Sequence, residues 1–256
     1  MDSSIKKKGT NYILKVNINL LIYSIIMKNI YLGWELNDFN NANNFRNYQL
    51  DIFSKYIKGE VAEIGPGSDY NNIVKRYNGR EVKSVNLFEP TANLFQALKK
   101  KLKKKKIKIF NKIFIPKKKY DTILYLDVLE HIKEDKVEVY KAISSLKKNG
   151  HLIINVPAYQ FLYSNFDKSV GHWKRYNKKE FKNIFYNYKN IEIKMYYYDS
   201  VGFCLSFFSK FLKVSHEKNF NKKIFLWDSL IPVSRLIDKL IFNLFGKSLI
   251  CIVKKI

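Results

Sequence analysis

Residues 61–67 read Val-Ala-Glu-Ile-Gly-Pro-Gly, and the fold prediction starts from them. An apolar run ends here and a glycine-broken turn follows at once, which is typical of a buried parallel strand that ends beside a ligand. Gly65 and Gly67 lack a Cβ atom and accept positive φ angles, so a nucleotide-like ligand can lie against the backbone. The next helix then points its first N–H groups at the same ligand. A tight turn without a ligand is the alternative, and the rest of the chain decides between the two.

Outward from this turn, short apolar runs alternate with helical patterns. The predicted strands are 60–64, 82–88, 107–110, 120–126, 151–156, 191–198 and 248–253. The predicted helices are 45–57, 70–77, 91–103, 136–146, 178–185, 201–212 and 224–245, with Pro232 breaking or starting the last one. Such alternation predicts a doubly wound α/β fold whose parallel sheet is covered on both faces. The late strands, separated by a helical insertion at 201–246, predict a sheet finished by an antiparallel edge strand.

Length and composition fit one large domain. The 256 residues are 46% apolar, and the formal net charge is +25. We assign residues 37–256 to the domain and residues 1–36 to an N-terminal extension, in which Met27 is a candidate start. Two isolated cysteines, Cys204 and Cys251, indicate a reducing cytoplasm.

Much of the positive charge lies in residues 99–108, which read KKKLKKKKIK. Such a run suits nucleic acid, anionic lipid headgroups or a phosphorylated substrate. The alternative is an exposed helix end in a lysine-rich proteome, and we favour this alternative. Nucleic acid is therefore not expected as a partner, whereas peripheral contact with the inner membrane face stays open.

Glu89 is the second site feature, because it ends the strand that follows the glycine turn. An acid at this place can accept hydrogen bonds from both ribose hydroxyls of a nucleoside. Together the turn and the acid favour a nucleoside ligand. Their spacing alone leaves nicotinamide cofactors and S-adenosylmethionine as alternatives.

Residues 127–132, Asp-Val-Leu-Glu-His-Ile, follow the fourth predicted strand. With the glycine turn and Glu89, this stretch resembles the successive motifs of class I S-adenosylmethionine-dependent methyltransferases. Residues 146–152 resemble the turn before that family's fifth strand, with Lys148 and Asn149 departing from its usual proline and glycine. Residues 156–176 and 226–249 are similar to a bacterial subgroup, of the methyltransferase type 11/12/23 kind, that is often associated with glycan or lipid modification.

The resemblance implies a seven-stranded Rossmann-like sheet of order 3-2-1-4-5-7-6, S-adenosyl-L-methionine as cofactor, and a set of binding residues. Glu63, Gly65 and Gly67 would line the methionine and ribose part, with Pro66 stiffening the turn. Glu89 would take the ribose hydroxyls. The remaining positions implied are Asn111 at the adenine and Asp127 and Val128 at the methionine end. Two departures from the pattern are Asp69 in place of a glycine and Asn111 in place of an acid.

Two carboxylates and two imidazoles form a candidate metal site. Asp127, Glu130, His131 and His172 offer oxygen and nitrogen ligands for a divalent cation such as Mg²⁺, which would orient an acceptor hydroxyl and lower its pKa. The alternative is that Glu130 and His131 cap the following helix. Without a metal, His131 or His172 is the candidate catalytic general base.

The acceptor is expected beyond the strand ends, between an acceptor loop at 158–177 and the helices at 201–246. The predicted aromatic and basic wall consists of Tyr159, Phe161, Tyr163, Trp173, Arg175 and Tyr176. The apolar helix after residue 201 suits core packing, a lid over an apolar acceptor, or a face lying on a membrane.

The expected activity is O-methylation of a glycan, lipid-linked or other small-molecule acceptor. Two alternatives remain. One is a nucleotide-dependent oxidoreductase, which the missing third glycine disfavours. The other is a basic protein on a degenerate methyltransferase scaffold that binds nucleic acid or a membrane surface.

Overall fold

The computed structural model describes residues 31, 33–78, 81–211 and 219–256, which form one seven-stranded sheet of order β3-β2-β1-β4-β5-β7-β6. The strands are β1 Gly59–Ile64, β2 Val82–Phe88, β3 Ile107–Phe110, β4 Tyr120–Leu126, β5 Leu146–Pro157, β6 Ile191–Tyr198 and β7 Ser248–Lys255. Strands β1 to β5 pair in parallel, while β7 runs antiparallel to both β5 and β6. The predicted order is confirmed. The antiparallel strand lies inside the sheet, however, and β6 forms the edge.

Helices connect the strands and cover both faces of the sheet. They are α1 Leu36–Asn41, α2 Asn43–Phe53, α3 Tyr70–Tyr77, α4 Ala92–Lys101, α5 Asp135–Ser144, α6 Asn165–Ser169, α7 Lys178–Phe185, α8 Ser200–Phe211 and α9 Phe220–Leu240. Single 3₁₀ turns lie at Ser54–Tyr56, Leu129–His131 and Gln160–Leu162. None of the described helices is long and apolar enough to cross a bilayer. The predicted extension up to residue 30, and Leu212, fall outside the described residues.

The core consists of two layers, one on each face of the sheet. Neighbouring strand residues point to opposite layers, so that Ile123 packs with α5 and α7 while Leu124 packs with α2, α3 and α9. Both side chains are fully buried. This double burial explains why residues 123–126 of β4 and 152–154 of β5 are consecutive apolar residues.

Strand β5 begins earlier than its predicted start at residue 151. Asn149 has a φ of 61°, and the pairing of β5 with β4 shifts between Tyr120 and Thr122. A Cβ atom on Gly150 would lie 2.9 Å from the carbonyl oxygen of Lys147, so the backbone can pass there only as glycine. Because of this irregularity, β5 already pairs with β4 at Leu146. The polar residues that follow Leu146 hide this early start from an apolar pattern.

Pro232 does not break helix α9, which corrects the prediction. Proline lacks the N–H that would bind the carbonyl of Asp228, four residues earlier. That carbonyl instead accepts a hydrogen bond from Asn44 Nδ2 at 3.1 Å. The helix ends at Leu240, before two residues with positive φ, Phe242 and Asn243, instead of continuing to 245.

Candidate active site

A cavity of about 300 Å³ opens at the carboxyl ends of β1, β2, β4 and β5. Its volume suits a small-molecule site. Tyr31 and Glu35 line it from before the predicted domain boundary at residue 36, and α1 and α2 form one wall. The predicted site residues on the lining are Gly65, Gly67, Glu89, Asp127, Val128, Glu130, His131 and His172.

The glycine turn after β1 adopts the backbone that its composition predicts. Gly65 and Gly67 have φ angles of 60° and 64°. A Cβ atom on Gly65 would lie 2.8 Å from Val128 Cγ2, whereas one on Gly67 would meet nothing within 4 Å. Gly65 is therefore required by the neighbouring loop, and Gly67 leaves open space at the cavity.

Glu63 and Asp69 flank this turn but do not line the cavity. Both oxygens of the buried Glu63 carboxylate are bound, by Arg76 Nη1 at 2.5 Å and Tyr77 Oη at 2.6 Å. Glu63 thus fastens α3 to β1. Asp69 caps α3 by accepting a hydrogen bond from the backbone N–H of Asn72 at 3.4 Å. Its carboxylate therefore stabilises the N-terminus of this helix. Pro66 is buried in the turn.

Glu89 is a buried carboxylate on the cavity wall. It accepts hydrogen bonds from the N–H groups of Gly67 at 3.0 Å and Thr91 at 2.9 Å. Burial raises its pKa, while these two N–H groups oppose the rise. Each carboxylate oxygen retains a free lone pair, so the residue can still accept hydroxyl donors.

Asn111 does not line the cavity. Its Nδ2 donates to the carbonyls of Glu89 and Pro90, both at 3.0 Å. The side chain therefore fixes the loop that carries Glu89.

Asp127 lies at the end of β4 with a φ of 58°, an uncommon value for a residue with a side chain. Its Oδ1 accepts from Asn155 Nδ2 at 2.6 Å, and its Oδ2 accepts from Arg46 Nη1 at 3.2 Å. Arg46 thereby joins α2 to the end of β4. Strained backbone held by such a network is common at functional sites.

Glu130, His131 and His172 meet on the far side of the cavity. Their ligand atoms lie within 4.8 Å of one another, and Asp127 is not part of this group. Burial raises the pKa of Glu130 well above its usual range, the charge of Asp127 adds to the rise, and its Oε2 has no hydrogen-bond partner in the described chain. Burial lowers the pKa of His131 to about 3, and the electrostatic interaction with His172 acts in the same direction. His131 is thus neutral at physiological pH.

Asp167 organises the last part of the site. Its Oδ1 lies 2.8 Å from His172 Nδ1. Arg175 donates from Nε to Oδ1 at 2.8 Å and from Nη2 to Oδ2 at 2.9 Å. These partners hold the pKa of Asp167 well below its usual range despite burial. A carboxylate on Nδ1 fixes the imidazole, so that Nε2 of His172, which lies 3.9 Å from Glu130 Oε1, is the nitrogen left to meet a ligand.

The predicted aromatic wall is largely absent, since only Arg175 of its six members lines the cavity. Tyr159 stacks on Tyr197, and Tyr176 binds Asp135 inside the fold. The rings that line the cavity are instead Tyr31, Phe39, Phe45, Phe114, Phe166 and Trp227. Loop 158–177 folds back over β5 through the pairing of Ala158 with Tyr176, and Phe166 of this loop lines the cavity in place of the predicted rings.

Sequence reasoning missed Arg46, Asp167 and Lys247 as cavity residues. The spacing of Asp167, His172 and Arg175 offered a weak signal, because all three belong to one loop. Arg46 and Lys247 carried none, since helix and turn positions of this kind are commonly solvent-exposed lysines and arginines.

The sheet order and the glycine turn followed by a buried acid define a Rossmann-like, class I methyltransferase. The matching family model is described as a methyltransferase domain and covers residues 42–201. The chain therefore belongs to this methyltransferase-domain family, and an oxidoreductase is not retained. No curated protein matches the sequence.

Solved structures of S-adenosylmethionine-dependent methyltransferases share the fold. Phosphoethanolamine N-methyltransferase 2 of Haemonchus contortus, with S-adenosyl-L-methionine, is 14% identical with a TM-score of 0.53, over 82% of this chain and 52% of that one. An Archaeoglobus fulgidus methyltransferase is 15% identical with a TM-score of 0.50, over 84% and 95%. The plantazolicin methyltransferase BpumL, with S-adenosylhomocysteine, is 15% identical with a TM-score of 0.51, over 99% and 91%. The chain spans about half the length of the Haemonchus enzyme.

Proposed function

We propose that this chain transfers a methyl group from S-adenosylmethionine to a hydroxyl of a small-molecule, glycan or lipid-linked acceptor. The observation that carries the proposal is that one cavity joins the glycine turn and Glu89 to the His172–Asp167 pair. The first part suits a nucleoside cofactor, and the second suits a hydroxyl that must lose a proton.

The residues present fit the cofactor. Gly67 leaves room for a ligand against the backbone, and Glu89 keeps lone pairs for two ribose hydroxyls. S-adenosylmethionine, when bound, supplies a methyl group that is already electrophilic. The protein therefore contributes mainly orientation and exclusion of water.

His172 Nε2 is the proposed general base. It would accept the O–H proton of the acceptor as the acceptor oxygen takes the methyl group, whose bond to the sulfonium sulfur would break and release S-adenosylhomocysteine. Asp167 would stabilise the imidazolium that results. Glu130 and the neutral His131 line the cavity beside His172. Their desolvation strengthens the interactions of the base with its acceptor.

The cofactor is tested by calorimetric titration with S-adenosylmethionine and S-adenosylhomocysteine. We expect both to bind, and Glu89→Gln to weaken binding about 10- to 100-fold, as expected for a hydrogen bond to a charged group. The absence of binding heat with either compound would refute the proposed function. His172→Gln serves as the matched variant, because it should retain cofactor binding and lose turnover.

An alternative hypothesis is that Glu130, His131 and His172 bind a divalent cation. Two imidazoles and one carboxylate suit Zn²⁺ or Fe²⁺ better than the predicted Mg²⁺, which prefers oxygen ligands. The comparisons do not support a metal, and we propose metal-independent transfer. Turnover that is lost in EDTA and restored by a single metal would contradict this.

We also propose that helix α9 rests on an anionic membrane surface. Its inner face packs Ile224, Trp227 and Ile231 into the core. Its outer face exposes an apolar stripe at i, i+7, i+10 and i+14, formed by Leu226, Val233, Leu236 and Leu240. Lys222 and Lys239 border the stripe, and the whole chain carries a formal net charge of +25, so anionic headgroups are the complementary partner.

Vesicle flotation tests this contact. We expect binding to phosphatidylglycerol mixed with phosphatidylcholine, little binding to pure phosphatidylcholine, and loss of binding in the double variant Leu236→Glu/Leu240→Glu. Tyr186→Glu, at another exposed aromatic position, is the control and should bind normally. Equal binding to both vesicle types, or a dimer that the double variant dissolves, would contradict the proposal.

A further inference from the structure

Lys247 is held rigidly at the edge of the cavity. Its N–H donates to the carbonyl of Asp199 at 2.9 Å, and its own carbonyl accepts from Ala158 N–H at 2.9 Å. Gly246, just before it, packs against the backbone of Tyr198 so closely that no Cβ atom fits. The backbone therefore fixes the place from which the lysine side chain reaches the cavity.

The ammonium group of Lys247 makes no direct ion pair among the described residues. Its Nζ lies 3.9 Å from the ring centroid of Trp227, and no carboxylate oxygen of the described chain lies within ion-pair distance. The carboxylate of Asp199 is already occupied by Trp227 Nε1 at 2.8 Å and by Gly202 N–H at 2.9 Å. Burial lowers the pKa of Lys247, and the charge of Asp199, although beyond ion-pair distance, opposes this shift.

Arg175 lines the same cavity and has one nitrogen without a hydrogen-bond partner in the described chain. Two of its nitrogens bind Asp167, but Nη1 is buried and has no hydrogen-bond partner in the described chain. The residue is only 6% exposed. A buried guanidinium nitrogen without a partner is rare and costly, because its desolvation is uncompensated.

The carboxylates near this pair are already in use. Asp127 is bound by Arg46 and Asn155, and Asp167 is bound by His172 and Arg175. The raised pKa of Glu130 favours its neutral form. Lys247 Nζ and Arg175 Nη1 are therefore hydrogen-bond donors of this cavity that no carboxylate of the described residues binds.

We propose that Lys247 Nζ and Arg175 Nη1 form a subsite for an oxyanion, a carboxylate or phosphate, carried by the methyl acceptor. This inference rests on the proposed methyl transfer and narrows its substrate class to acidic acceptors. The subsite belongs to the acceptor because Arg175 and the base His172 share the Asp167 carboxylate. The cofactor residues Gly67 and Glu89 lie instead at the ends of β1 and β2.

The test uses the full chain saturated with S-adenosylhomocysteine and titrated with inorganic phosphate in a phosphate-free buffer. We expect phosphate to bind without displacing the cofactor product, and Lys247→Gln to weaken phosphate binding about 10- to 100-fold, because it removes a charged hydrogen-bond donor. Lys239→Gln, which removes the same charge from an exposed helix position, is the matched control and should bind phosphate normally. Arg175→Lys is the second variant, since it keeps the charge and breaks the paired contact with Asp167.

Three outcomes decide the inference. Phosphate binding that Lys247→Gln leaves unchanged would overturn it. Competition between phosphate and S-adenosylhomocysteine would assign the two cations to the cofactor carboxylate and also overturn it. Failure of S-adenosylhomocysteine itself to bind would refute the proposed function. Failure of the subsite can therefore be distinguished from failure of the proposed methyl transfer. An acceptor screen in matched pairs, each alcohol with and without a phosphate or carboxylate, should yield turnover with the acidic member only.

Discussion

At the scale of single residues, the two glycines of the turn after β1 have different physical constraints. Both have positive φ, but only Gly65 abuts Val128. We expect Gly65→Ala to lower the free energy of unfolding by about 2 kcal/mol or more, from backbone strain and overpacking together, and Gly67→Ala by about 1 kcal/mol from strain alone. Urea denaturation of the two variants measures the difference.

A double-mutant cycle isolates the contact between Gly65 and Val128. Combined with Gly65→Ala, Val128→Ala should cost less stability than it costs in the parent chain, by about 1 kcal/mol of coupling. Equal costs of Gly65→Ala and Gly67→Ala, with no coupling to Val128, would show that the contact is unimportant.

Site residues could be predicted from the sequence where they directly follow an apolar strand pattern. Glu89 and Asp127 directly follow apolar runs, so the sequence places both at the cavity. Glu63 also ends a strand, but it faces α3, where Arg76 and Tyr77 bind it. Alternation along a strand decides such a direction, and it becomes visible only once the partners of each face are known.

Lys247 illustrates the residues that sequence reasoning cannot place. It lies far along the chain from Arg175, and the two meet in one cavity only because β7 returns into the sheet beside β5. No local pattern encodes that meeting. The unsatisfied Arg175 Nη1 is likewise a property of the packed loop and not of its sequence.

At the scale of elements, Asp228 on α9 caps helix α2. Its Oδ1 accepts from Phe45 N–H at 2.8 Å and its Oδ2 from Asn44 N–H at 3.2 Å. We expect Asp228→Ala to destabilise the protein by about 1–2 kcal/mol, as for loss of an N-terminal cap. Thermal and urea unfolding measure the loss.

Asp51→Ala offers a matched comparison between the same two helices. Asp51 pairs with Arg235 at 2.7 Å, but both side chains are largely exposed. Its removal should cost less than about 1 kcal/mol, because exposed ion pairs contribute little. Similar costs for Asp228→Ala and Asp51→Ala would contradict the capping role of Asp228.

Most elements were predictable because their local patterns agree with the fold. The double burial of β4 and β5 produces short apolar runs, and glycines lie at both ends of β1. Helix α9 was mispredicted at Pro232, since the group that compensates the lost hydrogen bond, Asn44, lies 184 residues from Asp228. Local rules fail where a distant side chain supplies what the local chain lacks.

At the scale of the whole molecule, stability should depend on the protonation of His131. Folding lowers the pKa of this imidazole from 6.5 to about 3, so the unfolded chain binds the proton more tightly. The stability is complete above pH 6.5 and is lost as the pH falls toward 3. At pH 5 the loss is about 2 kcal/mol, at about 1.36 kcal/mol for each pH unit below the ordinary pKa.

The variant His131→Gln tests this dependence. Between pH 7 and pH 5, its free energy of unfolding should fall by about 2 kcal/mol less than that of the parent chain. The raised pKa of Glu130 acts with the opposite sign, since it removes stability as the pH rises, but it is present in both proteins. Parallel curves for the two proteins would show that His131 titrates normally in the fold.

The inner position of β7 has a consequence for how the protein is made. Among the described strands, the one at residues 248–255 is the only strand that joins β6 to β5. It follows β1 to β6 in the chain, so all six of those strands leave the ribosome before it does. Until residues 248–255 have emerged, β6 has no strand of this sheet to pair with.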